Sequence, residues 1–151
     1  MGCDIHFIVE QQKAVKGVVK WVGVRRDSDY HFDGYTPSDA RPNFQKLGSC
    51  NYRFFGLLAN VRGSGGEEPR GIPEDVSDLA AADIEHWGED GHSHSWHSLE
   101  EFVRKYLLAQ DDAAVLTAMT DRLAGENPVH NFFDIEPEKW PLFRVVFWFD
   151  N

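Results

Sequence analysis

The run Arg144-Val145-Val146-Phe147-Trp148-Phe149 constrains the fold more than any other feature, because every position after the first is apolar. Successive side chains of a strand point to opposite faces, so a strand that is apolar at both parities needs cover on both sides. A central strand is therefore predicted here, and its expected place is beside the first strand of the chain. That first strand is read at residues 5–10, with Ile5, Phe7 and Val9 on one face and His6 and Ile8, preceded by Asp4, on the other. Residues 18–25 are rich in β-branched side chains and read as a second strand, joined to the first by a loop over residues 11–17.

Helical periodicity follows. Phe54, Leu57, Leu58 and Val61 recur at i, i+3, i+4 and i+7 behind the candidate caps Ser49 and Asn51, which predicts an amphipathic helix ending at Gly63. Asp75 or Ser77 is placed to cap a short helix that runs to Trp87 and stops at Gly88. Ser98-Leu99-Glu100-Glu101 is a capping box opening a helix with the stripe Leu99, Phe102, Val103, Tyr106 and Leu107. A further helix is expected over residues 113–123, capped by Asp111 or Asp112 and stopped by Gly125. The prediction is a single α+β domain over residues 1–151: a small, mostly antiparallel sheet containing the N- and C-terminal strands, packed with three to four helices.

At 151 residues, with 11 Phe, 5 Trp and 4 Tyr, the chain can bury a full core without staples. Fifteen Lys and Arg against 25 Asp and Glu give a net charge of −10, which repels a phosphate backbone and disfavours non-specific nucleic-acid binding. Cys3 and Cys50 allow one bridge at most, and Asp4 and His6 interrupt any leader-like apolar stretch, so a reducing cytoplasmic setting without membrane contact is expected. Homo-oligomerisation stays open.

The chemistry-bearing residues fall into patches. Asp4 and His6 stand two apart, which places both on one strand face, and Asp90-Gly91-His92-Ser93-His94-Ser95-Trp96-His97 carries three imidazoles and a carboxylate just before a capped helix. If the segment is extended, His92 and His94 share a face, while His97 lies near the positive end of the next helix. A solvated His/Ser loop is the competing reading. Asp29, His31 and Asp33 form a third polar patch, read as an ordinary turn. Arg53, Arg62 and Arg70 surround the glycine-bearing loop of residues 63–71, where guanidinium forks could hold a phosphate or carboxylate; a solvated loop competes with that reading. Trp96, flanked by polar residues, is the candidate for stacking on a base. No P-loop, dinucleotide fingerprint, nucleophile elbow or C-x-x-C is present.

The blocks Met1-Gly2-Cys3-Asp4-Ile5-His6, residues 51–62, Pro69-Arg70-Gly71-Ile72-Pro73, residues 90–95 and the closing residues 144–151 together resemble a family of small accessory proteins of tailed phages and prophages. The resemblance spans the whole chain, is weakest at residues 13–17 and 109–139, implies action in the bacterial cytoplasm, and brings no reaction with it.

Three functions are weighed. The first is capture of a small phosphate-bearing, nucleotide-like ligand, such as a host immune signal, by Arg53, Arg62, Arg70, His92, His94, Trp96 and His97. The second is metal-dependent phosphoester hydrolysis, with Asp4, His6, His92 and His94 holding a divalent zinc, manganese or iron ion and Asp33 or Asp90 as base or further ligand. The third is inhibition of a host enzyme through the acidic surface. The first two require the N-terminus and the histidine segment to meet in space.

Overall fold

The computed structural model describes residues 3–26, 52–63, 65–109 and 135–150. Strands Asp4–Val15 (β1), Val18–Arg26 (β2), His92–Ser98 (β3) and Phe143–Asp150 (β4) form one four-stranded antiparallel sheet in the order β2-β1-β4-β3. Helices Tyr52–Ala59 (α1), Asp78–Trp87 (α2) and Leu99–Leu108 (α3) complete an α+β fold. The helix expected at residues 113–123 and the patch Asp29, His31 and Asp33 lie outside the described residues.

β4 is central, as its two-sided apolar character requires, and pairs with β1 in continuous register from Asp4 opposite Asp150 to Gln11 opposite Phe143. Every residue from Phe143 to Phe149 is buried. On one face Ile5, Phe7, Val9, Val145, Phe147 and Phe149 pack against Phe54, Phe55 and Leu58 of α1 and Leu99, Phe102 and Val103 of α3. On the other, Ile8, Val146 and Trp148 are covered by Ala80 of α2, with Val76, Leu79, Ile84, Trp87 and Trp96 around them. Each fully buried large side chain contributes about 1.5–3 kcal/mol of transfer free energy, which makes these two layers the main source of stability.

The hairpin is tighter than the sequence predicts. β1 runs on to Val15 and turns through only Lys16 and Gly17, both at positive φ (52° and 79°). Positive φ at both central positions matches the right-handed twist of the strands, so a two-residue turn closes here. The polar stretch after Glu10 gives no apolar alternation, which is why it reads as loop in sequence. α1 ends at Ala59 rather than Gly63, because Asn60 and Arg62 take positive φ and the chain tightens into a 3-10 turn over Val61–Gly63.

A buried ion pair fastens the second face. Glu10 is fully buried and Arg144 nearly so; Arg144 Nε donates to Glu10 Oε1 at 2.5 Å, and the Ser77 amide donates to Glu10 Oε2 at 2.7 Å. Arg144 also donates to Asp75 Oδ1 (2.8 Å) and to the Asp75 carbonyl (3.1 Å), while its guanidinium lies 4.2 Å over the Trp21 ring. The start of α2, capped by Ser77 as expected, is thereby tied to β1 and β4. No helix among the described residues is long and apolar enough to cross a membrane.

Candidate ligand site

The histidine segment is a strand, not a loop, and its register decides where each imidazole goes. His92 pairs with Phe149 and Ser95 with Phe147, so two residues, Ser93 and His94, oppose Trp148 alone. This bulge, with Ser93 at φ 55°, breaks the alternation that would put His92 and His94 on one face. His92 turns toward Phe149 (centroids 6.2 Å) and bonds Ser93 Oγ at 2.9 Å through Nδ1. His94 lies on the opposite side of the sheet, its ring nearly parallel to Trp148 at 6.3 Å.

His6 faces Trp148 from the neighbouring strand (6.2 Å), stacks on Trp87 at 4.0 Å and bonds Asp150 Oδ2 through Nε2 at 2.9 Å. His6 on β1 and His94 on β3 therefore approach Trp148 from the two strands that flank β4, while His92 lies on the other face, so the expected shared pocket of His6 and His92 is not formed. Asp4 is exposed and its amide reaches Asp150 Oδ1 at 3.4 Å, and Asp90 is exposed in the 3-10 turn Gly88–Asp90. The set Asp4, His6, His92 and His94 is not a ligand cluster: among the described residues, no three His, Cys, Asp or Glu side chains are placed to hold a metal ion.

His97 belongs to the core. It is fully buried against Phe147, its Nδ1 lies 2.6 Å from the Trp96 carbonyl and its Nε2 lies 2.6 Å from Lys105 Nζ. Burial first, and the Lys105 charge second, push its pKa down to about 4, so the neutral ring donates from Nδ1 and accepts at Nε2. Lys105 also donates to Glu67 Oε2 at 2.6 Å.

Arg70 is committed rather than available. Its Nε donates to Glu67 Oε1 (2.6 Å), NH2 to Glu101 Oε2 (2.7 Å) and NH1 to the Trp96 carbonyl (3.1 Å). Bonds from Arg70 hold the carboxyls of Glu67 and Glu101 down to about 2, so both are ionised and neutralise the guanidinium. Trp96 is half-buried, with the guanidiniums of Arg70 and Arg144 at 5.2 and 5.9 Å from its ring centre. Arg62 lies 4.1 Å over the Tyr52 ring and Arg53 is exposed on α1. The three arginines do not offer three unengaged forks.

Another basic concavity, which sequence reading missed, opens at the far end of the sheet. A half-open cavity of about 510 Å³ is lined by Gln11, Lys13, Val24, Arg25, Lys139 and Phe143, with Ile135 and Glu136 on its wall. β1 supplies Gln11 and Lys13, β2 supplies Val24 and Arg25, and the 3-10 turn Pro137–Leu142 supplies Lys139. A bulge produces the unusual pair from β2: Val9 pairs with Arg25 and Glu10 with Gly23, leaving Val24 extra, so two consecutive side chains reach one cavity. Lys139 makes an exposed ion pair with Glu136 at 3.6 Å, whereas Lys13 and Arg25 have no ion pair among the described residues. Three cations against one carboxylate, above the apolar Val24, Ile135 and Phe143, make a local excess of positive charge on a chain whose net charge is −10. Only their approach in space reveals the group, since positions 13, 25 and 139 share no motif.

No family model, no curated protein and no solved structure matches the chain.

Proposed function

We propose that the protein binds a small phosphate-bearing, nucleotide-like ligand and acts by holding it, as an accessory protein of a phage or prophage in the cytoplasm of its bacterial host. The observation that carries this reading is the cavity of about 510 Å³ rimmed by Lys13, Arg25 and Lys139. Its volume lies within the usual span for small-molecule sites, about 300–1,000 Å³, and it combines an apolar floor with a few convergent polar groups. Arg25 provides a planar fork for two-point contact with a phosphate, and the two ammonium groups add point charges without fixed geometry. Val24 and Phe143 offer apolar surface to the body of the ligand. In this reading the phosphate role assigned from sequence to Arg53, Arg62 and Arg70 passes to a different set of cations, because Arg70 already serves two carboxylates. A host immune signal is the biological ligand the reading favours.

Sequestration is preferred to hydrolysis because the cavity is lined by cations and apolar groups, with Glu136 as its only carboxylate among the described lining residues and no imidazole. The test is thermal stabilisation by mono-, di- and cyclic nucleotides, followed by recovery of the ligand. We expect at least one to raise the melting temperature, to be recovered intact, and to bind about tenfold or more weakly to Arg25→Gln, consistent with loss of a charge-assisted bond. Conversion of the ligand to products would favour the hydrolase. Stabilisation unchanged in Arg25→Gln and Lys139→Gln would remove the site.

A further inference from the structure

Past Gln11 the sheet narrows to two strands. β4 begins at Phe143, opposite Gln11, so the pairs from Gln12 opposite Trp21 to Val15 opposite Val18 form a ribbon with no third strand beside it. Lys13, Lys16 and Lys20 on this ribbon are exposed, and so are Val18 and Val19 near its tip. Residues 11–25 hold four cations and no carboxylate, on a chain whose net charge is −10.

Two features of the ribbon work against its own stability. Lys13 and Lys20 stand directly opposite each other, which puts both side chains on one face, and like charges so placed repel. Neither has an ion pair among the described residues. Lys20, on the free edge of the sheet, also borders a second cavity of about 410 Å³ with Asp75 and Asp78, but it pairs with neither, and Asp75 serves Arg144. Lys16 takes φ 52° at a turn position where Asn, Asp and Gly are favoured. An anion held between Lys13 and Lys20 would remove the repulsion.

We propose that the ribbon extends the cationic cavity into a track for a short single-stranded oligonucleotide, with one phosphate on Arg25 and Lys139 and a further phosphate between Lys13 and Lys20. The inference rests on the reading above that the cavity takes a nucleotide. Val9, Gln11 and Lys13 share one face of β1, and Arg25 is the partner of Val9. Val9 and Lys13 are four residues apart, about 13 Å along the strand. That span exceeds the separation of the linked phosphates in one diphosphate and suits phosphates on either side of one or two nucleosides. Gln11 lines the cavity between the two cation groups, and its amide both donates and accepts, as recognition of a base edge requires. Lys13 borders the cavity and stands on the ribbon, so the two parts are continuous. Val18 and Val19 offer apolar surface on which a base or sugar can rest. The acidic remainder of the chain repels a long polyanion, which limits the ligand to a few nucleotides.

The test measures thermal stabilisation of the intact protein by 5′-phosphorylated ribonucleotides of one, two and three residues, each a random pool of the four bases. The trinucleotide pool should bind about tenfold or more tightly than the mononucleotide pool. Added salt should weaken it more steeply, by about 0.7 in the slope of log affinity on log salt for each further phosphate held. Lys20 lies outside the lining of the cationic cavity, so Lys20→Gln should cut the trinucleotide advantage to about threefold or less and leave mononucleotide binding unchanged. Because it removes a repulsion, the same variant should melt no lower than the wild type without ligand. Equal binding at all lengths, or an advantage undiminished in Lys20→Gln, overturns the inference and leaves the cavity standing as a mononucleotide site. Absence of stabilisation by every pool removes the cavity reading, and the track with it.

Discussion

The buried His97 makes a quantitative prediction about acid stability. The groups facing it are Lys105 at 2.6 Å and Glu67 at 3.7 Å, with Arg70 and Glu101 beyond them. Its pKa falls from 6.5 in the unfolded chain to about 4 in the fold, so the unfolded state binds the proton more tightly. A base depressed in this way contributes its stability above pH 6.5 and loses it as pH falls toward 4. At about 1.4 kcal/mol per tenfold change in proton affinity, the loss between pH 7.5 and 5 is about 2 kcal/mol, growing to about 3 kcal/mol below both values. Urea unfolding of the wild type and of His97→Gln across pH 7.5–5 isolates the term, because glutamine offers Lys105 an acceptor but does not titrate. His94, also depressed, is present in both proteins and cancels; Glu67 and Glu101 titrate near 2, below the window. The wild type should lose about 2 kcal/mol more than the variant over this range. Parallel pH profiles, or a His97 titration midpoint near 6.5 by NMR, would refute the reasoning.

Other consequences of the packing can be measured by the same unfolding assay. Arg144→Met leaves Glu10 buried without its partner and should cost about 3–5 kcal/mol, whereas Glu10→Met combined with Arg144→Met should recover much of that loss. Phe147→Ala opens a cavity between Phe7, Phe102 and His97 and should cost about 3–5 kcal/mol. Ser98→Ala removes the bond from the Glu101 amide (3.2 Å) at the start of α3 and should cost about 1 kcal/mol, with helix content otherwise retained.

What could be read from sequence was whatever is encoded locally. The capping box is present in both directions: the Glu101 amide bonds Ser98 Oγ at 3.2 Å and the Ser98 amide bonds Glu101 Oε1 at 3.1 Å. Ser77, through its hydroxyl, and Gly88, through its freedom at positive φ, bound α2 as predicted, and the two-sided apolar run of β4 stands at the centre of the sheet beside β1. What failed was set by tertiary partners. Apart from Trp96, β3 is made of His and Ser, which have little strand preference of their own, and it is held by pairing to β4. A single bulge at Ser93 separates His92 from His94, and period-two alternation gives no warning of it. The Glu10–Arg144 pair joins residues 134 apart in the chain, and the cationic cavity draws on three elements, so neither leaves a motif.

The ligand claim is tested most directly by mapping amide and side-chain resonances of the intact 15N-labelled protein while a stabilising nucleotide is titrated in. Saturable shifts are expected at Lys13, Val24, Arg25 and Lys139, with the Arg25 guanidinium N–H moving furthest. Shifts centred on Arg53 and Arg62, or none at any of these residues, would contradict it.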